Sequence, residues 1–565
     1  MLGLHWQEKR RIIRGFWKLN LMPSARPRGS GVAPDGGWKM TCYDRICSTV
    51  VILLVLLLTL VTAQVGATTY YVDGSHGSDA NSCSNAQSPT TARATIGAGI
   101  ACLSGGDELV VEDGEYSNVS NFINYRNHPI PDGLSTYQFT TIRARNRFGV
   151  TLKNSGALGY WDSPVAISGR YTHVSGFILM INDIVYPSNI VSVDGSYNKI
   201  SHCIARRTGA ADDYGAWFQV LGSNNLIEDC AGTGHMRYGF IAGGPDAITS
   251  KNVFRRCIGR GDYSDSNQPM AVFSFYGNNS GTGATDMAFQ NCIAIDSNMS
   301  NNITRNPYAY NWGGFYFPKN AANAIIQGSI VLNCDVEYGG FTPKENLGVN
   351  LAMENCLSWG NRNSKSGVAA ALNLRGTGSG VTIRNCTFGG SGEALQNRSG
   401  GGGQVFVNNT VYGNSAAGVV GTWESASNNA FFPATHSFGA QSITSNVKMT
   451  YPVVIDADSA QATGGTDGSP VGAVILKRYG GTGTFWGDPG WNHVSEEDLW
   501  PWENEKTIRE IFSLSNPPNA GSNPTSNDTI RGFCANGQTL TRYIWSFLGN
   551  SAPFPGQPKN PRLLQ

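Results

Sequence analysis

From residue 198 onward the chain repeats one short phrase in which apolar and polar residues alternate. Each phrase continues into Asn-Cys, or a small substitute, and then a turn, as in YNKISHC, NNLIEDC, KNVFRRC and NLAMENC. Runs of strand length with a period of two predict β-strands. A repeat of 24 to 37 residues predicts a solenoid whose stacked coils share one core. The equivalent positions, here called the small-residue column, are Cys203, Cys230, Cys257, Cys292, Ser329, Cys356, Cys386 and Thr410.

The column predicts buried thiols that are reduced. A cysteine outside a disulfide behaves as a small buried hydrophobic residue. Ser329 and Thr410 fill the same position without a thiol, so the position selects small size. Asparagines beside the column suit turn positions, where side-chain amides bond the backbone; they are Asn291, Asn333, Asn355, Asn385 and Asn409.

The first 67 residues are predicted to be a leader. Residues 50–61 form an apolar run preceded by Arg45 and followed by small residues, which is typical of a secretory signal peptide and short for a membrane span. Met40 would itself begin an ordinary signal peptide, so we expect the true start there. The alternative is an uncleaved N-terminal anchor, through which alone the protein would meet a membrane.

The charge balance excludes a nucleic-acid-binding protein. The leader carries 9 of the 41 basic and 3 of the 40 acidic residues, which leaves 32 and 37 and a net charge of −5. A mildly acidic chain has no basic surface for phosphates. Secretion permits disulfides, and Cys83 and Cys102 flank one short segment, so we expect them to be bridged.

Four regions are predicted along the chain. Residues 1–67 are leader, and 68–118 are an N-terminal cap with strands at 69–72 and 108–112 and a helix over 91–103. Residues 119–435 are a solenoid of nine to eleven coils. Residues 436–565 are a C-terminal cap or tail with short helices at 503–514 and 540–548. A solenoid needs covered ends because open edges and exposed core invite aggregation. We expect a monomer.

The segment TYYVDGSHGSDANSC, followed by ARATIGAGIACLSGGDELVVEDGEYSN, resembles the start of secreted right-handed parallel β-helix proteins. That group includes the pectate-lyase-like polysaccharide lyases. The resemblance covers about 50 residues, and the Asn-x-Cys phrase extends it over some 300 more. It implies an all-β right-handed parallel β-helix in a secreted, carbohydrate-related setting. It does not imply one activity, because function lies in sites placed on the fold.

Candidate site residues lie at similar offsets after the column on adjacent coils. His235, Arg237 and Asp262 come five to seven residues after their cysteines, and neighbouring coils bring such positions together. With Tyr263 and Arg207 they are the predicted catalytic set. Two long inserts supply aromatic residues suited to sugar rings, and long loops on a rigid scaffold often carry function. The predicted substrate-binding set is Arg260, Arg305, Tyr308, Tyr310 and Trp312. The alternative to a site is that the polar residues are turn residues whose hydrogen bonds are satisfied within the protein, and that the aromatic residues pack the loops.

Two chemistries fit such a site. A lyase needs a base near its working pKa and a cation that neutralises a uronate carboxylate, which His235 and Arg237 can supply without a metal. A hydrolase needs two carboxylates, for which Asp212, Asp213, Asp262 and Asp296 are candidates. Asp212-Asp213 followed by His235 resembles the polygalacturonase pattern, but the flanking glycines and the Arg-x-Lys motif are missing.

The sequence therefore predicts a secreted β-helix that binds, and by β-elimination cleaves, an acidic polysaccharide. A non-catalytic glycan-binding or structural solenoid and a polygalacturonase-like hydrolase remain open. No cofactor is required by this chemistry. The loop Asp73–Cys83 is rich in oxygen ligands that suit Ca²⁺, although an Asx-turn loop explains the same composition.

Overall fold

The computed structural model describes residues 66–154, 163–181, 189–208, 215–244, 247–263, 270–277, 283–297, 311–317, 322–343, 350–363, 369–375, 379–397, 402–413, 419–420, 423–514 and 529–552. Within the strands, the side chains of residues 262–263, 270, 311–312 and 419–420 lie outside this description, as does that of residue 436. The predicted signal peptide also lies outside it. The search of the described residues for a membrane span identified no helix that is both long and apolar enough.

Three long parallel sheets form a right-handed parallel β-helix, as predicted. Each coil contributes one strand to each sheet in turn, in the order A, B, C. Sheet A contains Thr69–Val72, Glu108–Val111, Thr140–Ala144, Thr172–Ser175, Lys199–Ser201, Leu226–Glu228, Val253–Arg255, Ala284–Gln290, Ala322–Gln327, Leu351–Glu354, Val381–Arg384, Val405–Val407 and Ser425–Ser427. The short strand Thr249–Ser250 also pairs with Ala284–Gln290.

Sheets B and C complete the coils. Sheet B contains Gly114–Ser117, Val150–Lys153, Phe177–Ile181, Ile204–Arg207, Ala231–His235, Ile258–Tyr263, Ile293–Ile295, Ile330–Leu332, Leu357–Trp359, Thr387–Gly389, Thr410–Tyr412 and Ala430–Phe432. Sheet C contains Ile123–Asn124, Val165–Ile167, Val191–Val193, Ala216–Val220, Tyr238–Gly243, Met270–Tyr276, Asn311–Phe317, Gly339–Pro343, Ala370–Leu374, Glu393–Asn397 and Val419–Val420.

The cysteines of the small-residue column point into the core, as predicted. Cys203, Cys230, Cys257, Cys292, Cys356 and Cys386 are buried and unbridged. Each thiol lies 3.2–3.6 Å from the backbone carbonyl oxygen two residues before it, which satisfies its weak donor. The column therefore selects a small side chain whose polar hydrogen has a local acceptor.

The predicted end of the column is wrong by one residue. Thr387 pairs with Thr410, so the residue equivalent to Cys386 is Asn409. Asn409 is fully buried, and its Oδ1 accepts a hydrogen bond from the Cys386 backbone N–H at 2.9 Å. The sequence misled because Asn408 and Asn409 are adjacent, and the first of them is the turn residue with positive φ.

Aromatic side chains fill the core beneath sheet C. Five rings at equivalent positions stack from coil to coil with centroids 4.6–5.0 Å apart. They are Phe218, Phe240, Phe273, Phe315 and Phe341. This spacing follows the distance between neighbouring strands, so the stack is a consequence of the parallel register. Because these rings point inward, their sequence neighbours on the other parity lie on the outer face of sheet C.

The solenoid begins earlier than the sequence predicts. Thr69–Val72 and Glu108–Val111 already pair in sheet A, within the predicted N-terminal cap. The connection between them holds the helix α1, Ile96–Ile100, the 3₁₀ turns Asn85–Gln87 and Pro89–Thr91, and the predicted disulfide between Cys83 and Cys102. A further 3₁₀ turn spans Val119–Asn121. The cap is therefore an insertion in the first coil.

The C-terminal segment covers the side of the solenoid. Ala440 and Ile443 form parallel bridges with the last coil, after the 3₁₀ turn Ala434–His436. Residues 447–514 and 529–549, which we call the strap, run back along the outer face of sheet B, and Phe485 also packs on residues of sheet A. The elements of the strap are the turns Ala460–Ala462 and Gly532–Cys534, the antiparallel strands Lys477–Tyr479 and Val494–Asp498, and the helices α2, Glu505–Ser513, and α3, Leu540–Trp545.

Apolar packing attaches the strap. Outward residues of sheet B, such as Ile258, Ile293 and Leu357, form one buried cluster with Ile475 and Phe512 of the strap. Strands such as Ile330–Leu332 are apolar on both faces, which is typical of parallel strands covered on both sides.

Candidate functional site

The predicted site lies where sheet B passes into sheet C. His235 ends the strand Ala231–His235, and its backbone pairs with Tyr263 on the next coil. The register shifts between Gly234 and His235, which leaves Asp262 as the extra residue of a bulge. Bulges often occur near active sites because they redirect side chains. The register thus brings the positions of His235, Asp262 and Tyr263 together.

Arg237 lies on the short link between the two sheets and is half-buried. Its guanidinium carbon is 5.1 Å from the centroid of the Tyr238 ring, a cation–π distance. Tyr276 on the next coil meets Tyr238 edge-on, with centroids 6.3 Å apart. Burial, the largest cause, raises the pKa of Tyr238 to about 12, so this phenol stays protonated at neutral pH.

A second arginine–tyrosine pair lies further along the same face. The Arg375 guanidinium carbon is 3.9 Å from the centroid of the Tyr338 ring, and both side chains are half-buried. The Asn373 amide donates to the Tyr338 carbonyl oxygen at 2.8 Å, which fixes the backbone just before the strand Gly339–Pro343. The Tyr238 and Tyr338 positions are three coils apart, or roughly 14 Å along the axis at the usual strand spacing.

The sequence did not single out Arg375 or Asn373. They lie in and just after the strand Ala370–Leu374, whereas the prediction considered residues just after the column. In the structure, Asn373 has the same register position as Thr342, on the outer face of sheet C. Ser274 is also on this face; its Oγ is fully buried and has no hydrogen-bond partner among the described residues.

Arg207 is placed beside His235 in the fold. It is 3% exposed, and its backbone pairs with Gly234. A Cβ at Gly234 would lie 2.0 Å from the Arg207 carbonyl oxygen, so glycine is required there. Arg207 ends the strand Ile204–Arg207. His235 is 2% exposed and ends a strand, so it is buried within sheet B and does not lie in a turn after it.

Arg260 is not at a ligand-binding surface, which corrects the prediction. It is fully buried, its Nη2 donates to the Phe512 carbonyl oxygen at 2.7 Å, and its guanidinium lies over the Phe512 and Phe533 rings at 5.5 and 5.8 Å. Register explains the difference, because Arg260 pairs with Thr233 on the outer face of sheet B, under the strap. Arg260 therefore anchors α2.

Asp296 is likewise occupied by the strap and is corrected as a hydrolase candidate. It is 2% exposed. Its carboxylate accepts hydrogen bonds from the Phe533 N–H at 2.9 Å, the Tyr543 hydroxyl at 2.7 Å and the Asn333 amide at 2.7 Å. These three donors hold the carboxylate away from solvent and join α3 to the solenoid.

The remaining predicted site residues lie partly or wholly outside the described residues. Asp262, Tyr263 and Trp312 are in described strands, but their side chains are not described. The others, Arg305, Tyr308, Tyr310, Asp212 and Asp213, are in inserts outside the description.

The oxygen-rich loop near the N-terminus is organised by hydrogen bonds. Asp73 Oδ1 accepts from the backbone N–H of Ser75 and His76, at 2.8 and 3.0 Å. Asp79 accepts from Ala94, Thr95 and the Thr95 hydroxyl. These contacts are those of an Asx-turn loop, so the carboxylates have a structural role here.

A His–Asp–Glu cluster is the one group with metal-ligand spacing found among the described residues. His202, Asp229 and Glu503 place their ligand atoms within 4.8 Å of one another. Arg256 pairs with Asp229 through two hydrogen bonds of 2.6 and 2.9 Å, and Arg147 pairs with Glu503. These guanidinium groups supply the positive charge that a cation would supply, so the cluster is an ion-pair network between strap and solenoid.

Of the comparisons with known proteins, only the one with solved structures found similar chains. No family model matches the chain, and no curated protein matches it. Similar solved structures include a rhamnogalacturonan lyase, 17% identical, with a TM-score of 0.40 over 66% of this chain and 89% of the other. A complex of XylC with xylose is 10% identical, with a TM-score of 0.41 over 69% and 88%. Pectate lyase Pel9A is 16% identical, with a TM-score of 0.29 over 70% and 83%. The predicted parallel β-helix is confirmed by the three long parallel sheets of the chain itself.

Proposed function

We propose that the protein is an exported β-helix protein that binds an acidic polysaccharide along the outer face of sheet C and cleaves it by β-elimination. The observation that carries the proposal is the pair of arginines stacked on tyrosines, Arg237 on Tyr238 and Arg375 on Tyr338. A guanidinium matches a carboxylate in shape and charge, and the half-buried Tyr338 ring, unlike the buried Tyr238 ring, can also meet the apolar face of a sugar ring. Two such pairs on one face suit a polymer of uronates.

The chemistry assigns a role to each residue beside the first pair. Arg237 binds the uronate carboxylate and neutralises the charge that develops as the proton α to it is removed. His235 accepts that proton. The electron pair forms the new carbon–carbon double bond as the bond from the β-carbon to the glycosidic oxygen breaks. Tyr263, whose backbone pairs with His235, is the candidate that returns a proton to the departing oxygen.

We favour elimination over hydrolysis because His235 and Arg237 supply a base and a cation, whereas one of the four candidate carboxylates for hydrolysis is already occupied. A hydrolase needs two carboxylates flanking the bond, and Asp296 is held under the strap.

The second candidate function is a non-catalytic glycan-binding solenoid, for which the same Arg–Tyr pairs provide the binding groups. Export is proposed from the signal-peptide pattern of residues 50–61.

The test is a screen of polygalacturonate, rhamnogalacturonan and alginate with the purified protein, following the ultraviolet absorbance of unsaturated uronate products. A rise in absorbance with any of them supports elimination. New reducing ends without absorbance would instead establish a hydrolase. Retardation in a gel that contains the polymer, with neither signal, would establish the binding module.

A further inference from the structure

A second feature of the solenoid lies at the corner where sheet C passes into sheet A. One residue of this corner has a positive φ between 54° and 79° on successive coils, so the corner is a left-handed turn. Left-handed backbone suits Asn, Asp and Gly, and this column mostly contains them. From the N-terminal end its members are Tyr171, Tyr197, Asn224, Lys251, Asp286, Asn323, Asn350, Gly380 and Gly403.

In the later coils this column forms an ordinary polar ladder. The Asn323 amide donates to Asp286 Oδ1 at 3.1 Å, and the Asn350 amide donates to Asn323 Oδ1 at 3.2 Å. Tyr171 and Tyr197, at φ 57° and 61°, depart from it. A bulky side chain in this region carries backbone strain, and such outliers cluster at binding and catalytic sites. Lys251, at φ 59°, also departs from the preferred residues, so the strain alone does not distinguish the two tyrosines; what distinguishes them is that their rings lie side by side.

The two rings continue a row of aromatic side chains along the solenoid axis. Phe139 holds the same position one coil earlier, since Thr140 pairs with Thr172. Ring centroids are 6.4 Å apart for Phe139 and Tyr171, and 5.5 Å apart for Tyr171 and Tyr197. All three side chains are half-buried, so part of each ring faces solvent. The Lys199 ammonium lies 4.7 Å from the Phe139 ring centroid and adds a positive charge beside the row.

We propose that Phe139, Tyr171 and Tyr197 form a second polysaccharide-binding surface, separate from the site on sheet C, that holds an acidic glycan without cleaving it. Rings repeating once per coil suit an extended polymer whose sugar rings repeat along its length. The Lys199 ammonium pairs with a carboxylate of the bound glycan. A surface of this kind would keep the protein on its polymer between turnovers, and it does not depend on the chemistry proposed for His235.

Packing of the strap accounts for only part of the row. Phe485 of the strap stacks on Phe139, with centroids 6.1 Å apart, and meets Tyr197 at 6.4 Å. The ring contacts of Tyr171 found among the described residues are with Phe139 and Tyr197, which belong to the solenoid. Packing under Phe485 therefore gives no reason for a tyrosine in a left-handed turn at residue 171.

The test uses the residue that the later coils already place in this turn. The double variant Tyr171→Asn, Tyr197→Asn removes both rings and relieves the strained backbone. The control Tyr171→Phe, Tyr197→Phe keeps both rings. Retardation in native gels containing polygalacturonate or alginate gives Kd, and thermal unfolding gives Tm. All three proteins also carry His235→Gln, Arg237→Met and Arg375→Met, so turnover and both arginines proposed to bind at sheet C do not contribute.

We expect the Asn pair to keep its Tm within a few degrees and to bind about 25-fold more weakly, or about fivefold for each ring. The Phe pair should bind within about twofold of the parent. Equal binding by the Asn pair would overturn the proposal, and so would a parent that neither polymer retards. A fall in Tm of more than about 10 °C for the Asn pair would overturn it as well, because the rings would then serve packing.

Discussion

The outer faces of sheets B and C differ in what covers them, although both carry arginines and aromatic rings. On sheet B, Arg260 lies between Phe512 and Phe533 and donates to a strap carbonyl. On sheet C, Arg237 lies over the ring of Tyr238, the next residue in the chain, and Arg375 lies over the ring of Tyr338 from the preceding coil. Both arginines are half-buried. The same residue types therefore anchor a chain segment on one face and pack against tyrosines of the solenoid on the other, where we propose that they bind a ligand.

This difference teaches that a polar residue at the right offset in a coil is not by itself evidence of a site. Arg260 and Arg237 are both close behind a column cysteine, and sequence spacing alone treats them alike. Parity along the strand and the presence of the strap decide between them. The predictions below change matched residues on the two faces.

The largest effect is expected at Asp296 on the covered face. Asp296→Ala leaves the Tyr543 hydroxyl and the Phe533 N–H buried without their acceptor. We expect the free energy of unfolding to fall by about 3 kcal/mol, measured by denaturant titration. Asp286→Ala is the control, because this half-buried carboxylate at the corner accepts one hydrogen bond from the residues that the structure describes, that of the Asn323 amide. A fall at Asp296 no larger than at Asp286 would contradict the anchoring role.

The next effect compares arginines on the two faces. Arg260→Met removes the donor to Phe512 and should lower the free energy of unfolding by about 2 kcal/mol. Arg237→Met, at a half-buried position, should change it by less than about 0.5 kcal/mol. Urea unfolding of both variants checks this. If Arg237→Met were the more destabilising of the two, the contrast between the faces would be lost.

A smaller effect is expected in the column beneath both faces. Cys257→Ala removes one buried sulfur and should cost about 1 kcal/mol, since the site loses a small volume. Burial, the largest cause, raises the pKa of the Cys257 and Cys386 thiols. Native protein at pH 8 should therefore leave both thiols unreacted with a thiol reagent, whereas urea-unfolded protein should react fully. Rapid labelling of either residue in the native state would show that the column is open.

The smallest effect concerns the ion-pair network at the edge of the covered face. The His202 ring, whose Nε2 lies 3.7 Å from the Glu503 carboxylate, and then Arg147 lower the pKa of Glu503 to about 2 against partial burial. A lowered pKa stabilises the fold above the unfolded value near 4.5, and this stabilisation disappears as the pH falls from there towards 2. Glu503→Gln should therefore be slightly less stable at pH 6, and the difference should disappear by about pH 2. A difference that grew on acidification would contradict this sign.

The repeat alone predicted the parallel sheets, the inward cysteines and the pairing of positions near His235 and Tyr263, because register in a solenoid follows from the spacing of equivalent residues. The strap could not be predicted, since its contacts join residues that are distant in sequence and follow no period, such as Thr410 and Val471, 61 residues apart, and Arg260 and Phe512, 252 apart. One signal was present: strands such as Ile293–Ile295 and Ile330–Leu332 are apolar on both faces, which requires a cover.

The candidate site was predicted in part. Coil spacing placed His235 and Arg237 on one link, but it could not show the bulge at Asp262 or that His235 ends a strand and is 2% exposed. Arg375 was missed because it follows a strand of sheet C. Side-chain packing of this kind depends on neighbouring coils and is not encoded in one phrase.

The most direct test of the account is the rate of unsaturated product formation from an acidic polysaccharide by Arg237→Met, compared with Arg260→Met and the parent. His235→Gln is measured beside them, since it retains size and a hydrogen-bonding group at this buried position. We predict that Arg237→Met and His235→Gln lose at least about 100-fold in rate, as expected for a general base, with Tm near that of the parent. Arg260→Met should keep its rate despite a lower Tm. Full activity in Arg237→Met, or a loss confined to Arg260→Met, would contradict the placement of the site on sheet C.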